Sequence, residues 1–168
     1  MLENLEPFID RVFRFALSLS RDRHLAEDLT QECFLRAVRS ADQLKDELAI
    51  RSWLFRITLN LWKDYCKKKR ISFHEGDWDV PGAGLPPLER LVQIETRQSA
   101  IELMQTLPDK QRTVLFLSAV EQLSNSEIAS LLNTNENAVK SSLSIARKRM
   151  RELRARQKRS RKLKNEVK

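Results

Sequence analysis

Two short amphipathic segments separated by a polar turn, within residues 124–149, constrain this chain more than any other feature of its sequence. Ser124 and Glu127 have the S-x-x-E spacing of a capping box, in which the serine side chain accepts a backbone hydrogen bond and the glutamate reaches back. A helix is predicted to begin here, and residues 133–135 (Asn-Thr-Asn) tolerate a turn. The helical period of apolar residues runs through Ile128, Ala129, Leu131, Leu132, Val139, Leu143, Ala146 and Met150. The pattern predicts a helix-turn-helix.

The second of these helices carries short polar and cationic side chains opposite its apolar stripe. They are Asn137, Lys140, Ser141, Ser144 and Lys148. Such groups can reach base edges and phosphates in a DNA major groove. An ordinary helical hairpin whose polar face is merely solvated is the alternative.

Composition excludes several classes of protein. Cys33 and Cys66 are too few and too far apart for a disulfide framework, which fits a reducing cytoplasm. No apolar run approaches the length of a membrane span, and the N-terminus is acidic where a secretory signal is basic. His24 and His74 are isolated, and neither zinc-ligand spacing nor a nucleophile–base arrangement is visible. We expect a cytoplasmic protein without cofactor, metal site, membrane insertion or enzymatic activity.

The net charge of +8 is unevenly distributed. Residues 147–168 hold twelve Lys/Arg and two Asp/Glu. A cationic segment that continues a candidate recognition helix suits phosphate contact, although such charge runs are also common as flexible, solvated ends. For Arg156–Lys168 both interpretations are open.

All three glycines and three of the five prolines lie between residues 76 and 87. Both residue types break helices and strands, so this stretch is predicted to be a linker. Helical periodicity recurs on both sides of it, without alternating strand patterns. We expect an all-α protein with two small helical domains joined by a flexible linker, the C-terminal one containing the helix-turn-helix. The expected segments are a domain at 1–70, a linker at 71–89, a domain at 90–155 and a basic tail at 156–168.

A further helix is predicted over Arg51–Arg70. Four of its apolar residues are expected to face the core, namely Trp53, Leu54, Ile57 and Leu61. Four polar residues follow one another at spacings of four, three and four, which places them along one exposed stripe. They are Arg56, Asn60, Lys63 and Lys67. Three aromatic residues, Phe55, Trp62 and Tyr65, either stack on unpaired bases beside these cations or belong to the core.

The segment LAEDLTQECFLRAVRS is also predicted to be a helix. Its inward side is expected to hold Ala26, Leu29, Cys33 and Ala37, with Phe34 as a further candidate. The opposite side holds Asp28, Gln31, Glu32 and Leu35. An acidic face with an exposed leucine would repel DNA, so it indicates a protein partner with a basic or mixed surface. A solvated face is the alternative.

In order and spacing, three segments resemble the two regions of a bacterial RNA polymerase sigma factor of the extracytoplasmic-function group. The likeness covers nearly all of residues 5–155. AEDLTQECFLRAVRS resembles that family's polymerase-binding helix, and RSWLFRITLNLWKDYCKKKR its helix for melting and reading the minus-ten element. The segment from LPDKQRT to KRMREL resembles its helix-turn-helix for the minus-thirty-five element.

The resemblance implies a dissociable initiation subunit that binds core RNA polymerase, directs it to promoter DNA and helps to open the duplex. An anti-sigma protein is a further candidate partner. By position, Asp28, Gln31 and Glu32 match the family's contacts to the largest polymerase subunit, and Leu35 shares their face. Asn60 matches the residue that engages a flipped base, with Arg56 and Lys63 beside it.

A two-domain helix-turn-helix regulator that binds DNA as a dimer and never contacts polymerase is the alternative function. It predicts a dimer interface, but the sequence has no heptad seam. The face that carries Asp28 and Glu32 has no use in that interpretation.

Overall fold

A computed structural model describes residues 5–44, 49–69 and 97–166, and every regular element within them is helical. The helices are α1 (Glu6–Ser20), α2 (Arg23–Arg39), α3 (Ile50–Lys68), α4 (Arg97–Gln105), α5 (Asp109–Ala119), α6 (Asn125–Leu131) and α7 (Glu136–Glu166), with a 3-10 turn at Ala41–Gln43. They form two compact units: the first holds α1 to α3, and the second holds α4, α5, α7 and most of α6. The expectation of an all-α protein is confirmed. The expected linker at 71–89 lies outside the described residues.

In the first unit, α1, α2 and α3 all pack against one another. The core is apolar, and at its centre the rings of Phe15 and Phe55 lie 4.9 Å apart in a tilted arrangement. The chain reverses between α1 and α2 at Arg21, which has a left-handed φ of 56°. Asp22 then caps α2, because its carboxylate accepts a hydrogen bond from the N–H of Leu25 (3.0 Å). The two helices are therefore joined by a tight, locally determined turn.

The residues that α3 buries differ in part from those that the sequence predicted. Leu54 and Leu61 are buried as expected, but Trp53 and Ile57 are only half-buried. Phe55 is 1% exposed and Trp62 7%, so both belong to the core and neither offers a free ring to a base. The prediction was wrong for Trp53 because nearly the whole helix is rich in apolar residues, and its periodicity alone left the centre of the buried face uncertain.

In the second unit, α5 packs along α7 and α4 contacts both helices. Its core includes Leu107, Val114, Leu117, Ile128, Val139 and Leu143. Arg112 is also buried, and it donates hydrogen bonds to the carbonyl of Leu107 (2.9 Å) and to the carboxylate of Asp109 (2.7 Å). A buried guanidinium needs such partners to offset its loss of water. The start of α5 is thereby fixed to the chain that precedes it.

The helix-turn-helix is present, and its local signals act as predicted. The N–H of Ser124 donates to Oε2 of Glu127 (2.7 Å), and the N–H of Glu127 donates to Oγ of Ser124 (3.2 Å). These two bonds form the capping box that begins α6. The turn ends α6 at Asn133, whose φ of 53° is left-handed, and the N–H of Thr134 donates to the carbonyl of Ala129 (2.9 Å). This is a Schellman-type ending in which asparagine takes the place that glycine usually occupies.

Removing the capping box should destabilise the second unit. Ser124→Ala deletes the acceptor for the Glu127 N–H, so we expect the free energy of unfolding to fall by about 1 kcal/mol. A urea denaturation midpoint followed by circular dichroism measures this. Ser126→Ala is the matched control, because Ser126 is exposed in the first turn of α6 but does not occupy the capping position. Equal midpoints for the two variants would mean that the box contributes nothing.

Helix α7 is 31 residues long and continues without interruption to Glu166. Residues 156–166, expected as part of a basic tail, are the last three turns of this helix. No glycine or proline follows Pro108 in the sequence, and lysine and arginine are good helix formers. The candidate recognition helix and the cationic segment are therefore parts of one continuous helix.

Candidate nucleic-acid and partner surfaces

The predicted polar stripe of α3 lies at the surface of the first unit. Arg56, Asn60 and Lys67 are exposed, and Lys63 is half-buried. Since α-helical residues three and four apart lie on one face, these four side chains follow one another along successive turns. We call them the α3 stripe. It combines three cations with one amide that can both donate and accept hydrogen bonds.

An aromatic side chain borders this stripe, and the sequence analysis missed it there. Trp53 lies three residues before Arg56 and seven before Asn60, so it shares their side of the helix. It is half-buried, whereas Trp62 is in the core with its ring stacked on Tyr65 at 5.8 Å. The seven-residue spacing from Asn60 was the signal that could have identified Trp53. The α3 stripe thus has an indole one turn before Arg56 and two turns before its amide.

The acidic side of α2 is also at the surface. Asp28 and Gln31 are exposed, and Leu35 is 52% exposed. Glu32 is half-buried and accepts a hydrogen bond from Nε of Arg36 (2.9 Å). The four predicted residues therefore share one accessible surface, which we call the α2 face.

Val38 adds to the α2 face and was not predicted from the sequence. It follows Leu35 by three residues and is 61% exposed. Two exposed aliphatic side chains on adjacent turns therefore form an apolar end of this acidic surface. The three-residue spacing from Leu35 was the signal that could have identified Val38.

The five predicted residues of the second helix of the helix-turn-helix are all exposed in α7. They are Asn137, Lys140, Ser141, Ser144 and Lys148, which we call the recognition face. The opposite side of the helix is buried through Val139, Leu143 and Ala146. Oδ1 of Asn135 accepts a hydrogen bond from the N–H of Ala138 (2.9 Å) and caps the start of α7. The short polar side chains therefore lie on a helix whose N-terminus is capped and whose opposite side is packed in the core.

A polar contact fixes α7 against α5 directly after the last residue of the recognition face. Nη1 of Arg149 donates to Oε1 of Gln111 (2.8 Å), and Gln111 is buried. A hydrogen bond to a charged donor is stronger than one between neutral groups. The bond limits rotation of α7 about its axis, which keeps the recognition face directed away from the core.

Among the described residues, no cluster of three His, Cys, Asp or Glu side chains is placed to hold a metal ion. Burial raises the pKa of the Cys33 thiol to about 11, and the hydroxyl of Thr58 donates to its sulfur (3.3 Å). A thiol with that pKa stays protonated at neutral pH and is a poor nucleophile. Across the described part of the chain, no helix is long and apolar enough to cross a membrane.

Both units match known protein families. Residues 5–71 match sigma-70 region 2, and residues 97–150 match sigma-70 region 4. The chain is 33% identical over 156 residues to the ECF RNA polymerase sigma factor SigM of Bacillus subtilis, covering 90% of this chain and 93% of that protein. The chain belongs to the extracytoplasmic-function sigma factors.

Two further similarities place this sigma factor among its relatives. It is 35% identical over 146 residues to the Probable RNA polymerase sigma factor RfaY of Xanthomonas campestris, covering 83% of this chain but only 36% of that longer protein. Its fold resembles the sigma factor RpoE of Bartonella quintana, solved in complex with the anti-sigma factor NepR, with a TM-score of 0.69 and 22% identity. That match covers 89% of this chain and 92% of the other.

The family boundaries can be compared with the surfaces of this sigma factor. The α2 face and the α3 stripe both lie within the region 2 match, and the recognition face lies within the region 4 match. The region 4 match ends at residue 150, in the middle of α7. The last sixteen residues of α7, 151–166, therefore extend past the region 4 match.

Proposed function

We propose that this sigma factor binds core RNA polymerase and directs it to promoter DNA, where it helps to open the duplex. The observation that carries the proposal is the separation of surfaces by chemistry. The first unit exposes an acidic and aliphatic α2 face as well as a cationic α3 stripe, and the second unit exposes a recognition face on a helix-turn-helix. A regulator that only binds DNA has no need for the α2 face.

Core polymerase is the proposed partner of the α2 face. Asp28, Gln31 and Glu32 offer carboxylate and amide oxygens to a basic surface, while Leu35 and Val38 offer apolar contact area. Interfaces commonly combine an apolar centre with charged groups that set orientation and association rate. An anti-sigma protein is a second candidate partner, because the Bartonella sigma factor with this fold was solved in complex with one.

The α3 stripe is proposed to read and melt the minus-ten element. Asn60 can form paired hydrogen bonds with the edge of an unstacked base, and Arg56, Lys63 and Lys67 are placed to hold the phosphates on either side. The half-buried indole of Trp53 offers a surface on which a neighbouring base can stack. Flipping a base costs a few kcal/mol, which stacking and hydrogen bonding together can offset.

The recognition face is proposed to bind the minus-thirty-five element as duplex DNA. In a helix-turn-helix the N-terminal part of the second helix enters the major groove, and Asn137 and Ser141 lie in the first two turns of α7. Lys140 and Lys148 flank them and suit phosphate oxygens. We propose functional domains at 1–70 and 90–155, with residues 71–89 linking them.

Substitutions on the recognition face should separate phosphate contacts from base contacts. For Lys140→Ala we expect weaker binding to all sequences and a salt slope lower by about one unit. For Asn137→Ala we expect a loss of roughly 1–3 kcal/mol on the correct element only. Fluorescence anisotropy of holoenzyme on matched and scrambled upstream duplexes, over a series of salt concentrations, measures both. The assignment fails if Asn137→Ala weakens the two duplexes equally.

Direct association with core polymerase tests the proposal and separates it from the alternative regulator. Titration of fluorescently labelled full-length protein with purified core enzyme should give saturable binding, and unlabelled protein should compete. The regulator hypothesis predicts no saturable binding in this titration, together with a dimer on analytical ultracentrifugation.

A further inference from the structure

The C-terminal part of α7 has a composition that suits a polyanion. Residues 147–164 contain eleven Lys/Arg and a single acidic residue, Glu152. Like charges at i and i+4 destabilise a helix, and this segment contains several such pairs, for example Lys158 with Lys162. A ligand with closely spaced negative charges would relieve that repulsion while the helix stays formed. Its residues 151–164 lie past the region 4 match, so that match does not account for them.

This segment of α7 is anchored on one side. Gln157 is only 8% exposed, and Leu153 and Ser160 are half-buried. Their spacings of four and three place them on one side of the helix, in line with the buried Ala146. Helix α4 packs against α7 in the same unit. The orientation of α7 about its axis is thus fixed, and the side opposite Leu153, Gln157 and Ser160 faces away from the second unit.

The outward side forms a cationic stripe in line with the recognition face. Lys148, Arg151, Lys158 and Lys162 are all exposed, and their spacings of three, seven and four keep them on one side of the helix. Lys140 and Ser144 precede them in the same register. At 1.5 Å per residue, the distance along the axis from Lys140 to Lys162 is about 33 Å. We call Arg151, Lys158 and Lys162 the outer stripe.

From this arrangement we infer that the outer stripe of α7 binds the phosphate backbone of duplex DNA flanking the element that the recognition face reads. The inference rests on the proposed function, because it requires the first turns of α7 to lie on DNA. If residues 137–148 of the straight helix α7 lie in the major groove, the rest of α7 moves away from a straight duplex within a few helical turns. Contact by the more distant cations therefore requires flanking DNA that is long enough to curve towards α7.

Nucleic acid fits the outer stripe better than an acidic protein does. Protein interfaces depend on a few aromatic or aliphatic side chains at their centre. The exposed large apolar residues of α7 are Ile145 and Leu163 among its described side chains, and their positions in the helical register lie to one side of the outer stripe. The alanine at position 155 separates the cations without offering an anchor. Cations along one side of a helix without an apolar centre are typical of contacts to a phosphate backbone.

Binding to DNA of arbitrary sequence tests the inference with the full-length protein and without polymerase. We compare Arg151→Ala/Lys158→Ala/Lys162→Ala with a control that removes three exposed cations elsewhere on the same segment, Arg154→Ala/Arg156→Ala/Lys164→Ala. Both variants lose the same charge, and alanine preserves helicity, which circular dichroism verifies. The probes are labelled duplexes of 15 and 40 base pairs, titrated from 50 to 200 mM salt.

On the 40-base-pair duplex, the outer-stripe variant should bind about tenfold more weakly, and its salt slope should fall by about two to three units. The control variant should lose less than one unit, and the two variants should be nearly equal on the 15-base-pair duplex. Equal losses for both variants on the long duplex would reduce the effect to net charge and overturn the inference. The same variants are titrated with core polymerase in parallel. An outer-stripe variant that loses polymerase binding without losing DNA binding would overturn the inference and assign the stripe to an acidic protein. Unmeasurable wild-type binding at 50 mM salt would also overturn it.

The proposed function can fail separately from this inference. If this protein does not bind core polymerase, the duplex titration still reports whether the outer stripe contacts phosphates. If the outer stripe proves inert, polymerase binding and promoter melting by the first unit are unaffected.

Discussion

Reversing the charges of the α2 face is expected to weaken binding to core RNA polymerase by at least about tenfold, or 1.4 kcal/mol. In Asp28→Arg/Glu32→Arg, two cations replace carboxylates on one exposed surface and oppose the basic partner surface that we propose. The substitution also breaks the bond between Glu32 and Arg36. An exposed i,i+4 pair contributes only about 0.3–0.5 kcal/mol, so the first unit should remain folded. The titration of labelled protein with core enzyme measures the change.

The matched control reverses two acids on another surface of the same unit. Glu6 and Asp10 are exposed on α1 at the same spacing of four, so Glu6→Arg/Asp10→Arg alters the net charge equally. We expect this control to bind core polymerase with an affinity close to that of the wild type. Equal weakening by both variants would show a general electrostatic effect, and unchanged affinity in Asp28→Arg/Glu32→Arg would remove the α2 face from the interface.

Asn60→Ala should leave polymerase binding intact and strongly reduce the formation of open complexes. The side chain is exposed between Arg56 and Lys63, so its removal should not disturb the core. Permanganate reactivity of unpaired thymines at the promoter measures melting, and a loss of about tenfold corresponds to a single base contact of 1–3 kcal/mol. On pre-melted DNA the defect should shrink if the amide mainly assists melting, and persist if it reads the base.

Gln31→Ala serves as the control for this experiment. It removes an equally exposed amide, but from the α2 face, so any defect should appear in polymerase affinity and not in melting. Wild-type permanganate reactivity in Asn60→Ala would exclude both roles of the amide. Trp53→Phe extends the test to the neighbouring ring, because a smaller aromatic surface should weaken stacking while preserving the apolar border.

Signals that act over a few residues predicted local structure well. The capping box at Ser124 and Glu127 formed with both of its hydrogen bonds, and Asn133 took the left-handed conformation that a helix ending requires. Each depends only on side chains and backbone groups within one turn. The polar faces were also predictable, since a side chain opposite an apolar stripe has no route into the core.

Features that depend on tertiary packing could not be read from periodicity. Thr58 is fully buried, and its hydroxyl lies within hydrogen-bonding distance of two acceptors, the Leu54 carbonyl (2.9 Å) and the sulfur of Cys33 (3.3 Å). The sulfur of Cys33 belongs to α2, so this contact was not evident from the spacing of polar residues within α3. The rotation of α3 that buries Phe55 and half-exposes Trp53 depends in the same way on α1, which supplies Phe15.

The length of α7 was uncertain for an electrostatic reason. A run of cations repels itself, which favours a solvated end, whereas lysine and arginine individually favour a helix. In this protein the buried Gln157 and the half-buried Leu153 link the charged segment to the second unit. Sequence reasoning had no means of weighing this packing against the repulsion.

Mapping the transcripts made by reconstituted enzyme tests the central claim most directly. Core RNA polymerase is incubated with genomic DNA, with and without this protein, and the 5′ ends of the transcripts are sequenced. The account predicts start sites that appear only when the protein is present and that share two upstream elements at a fixed spacing. Identical start sites in both reactions, from a protein that still binds duplex DNA, would contradict the account and favour the regulator that never contacts polymerase.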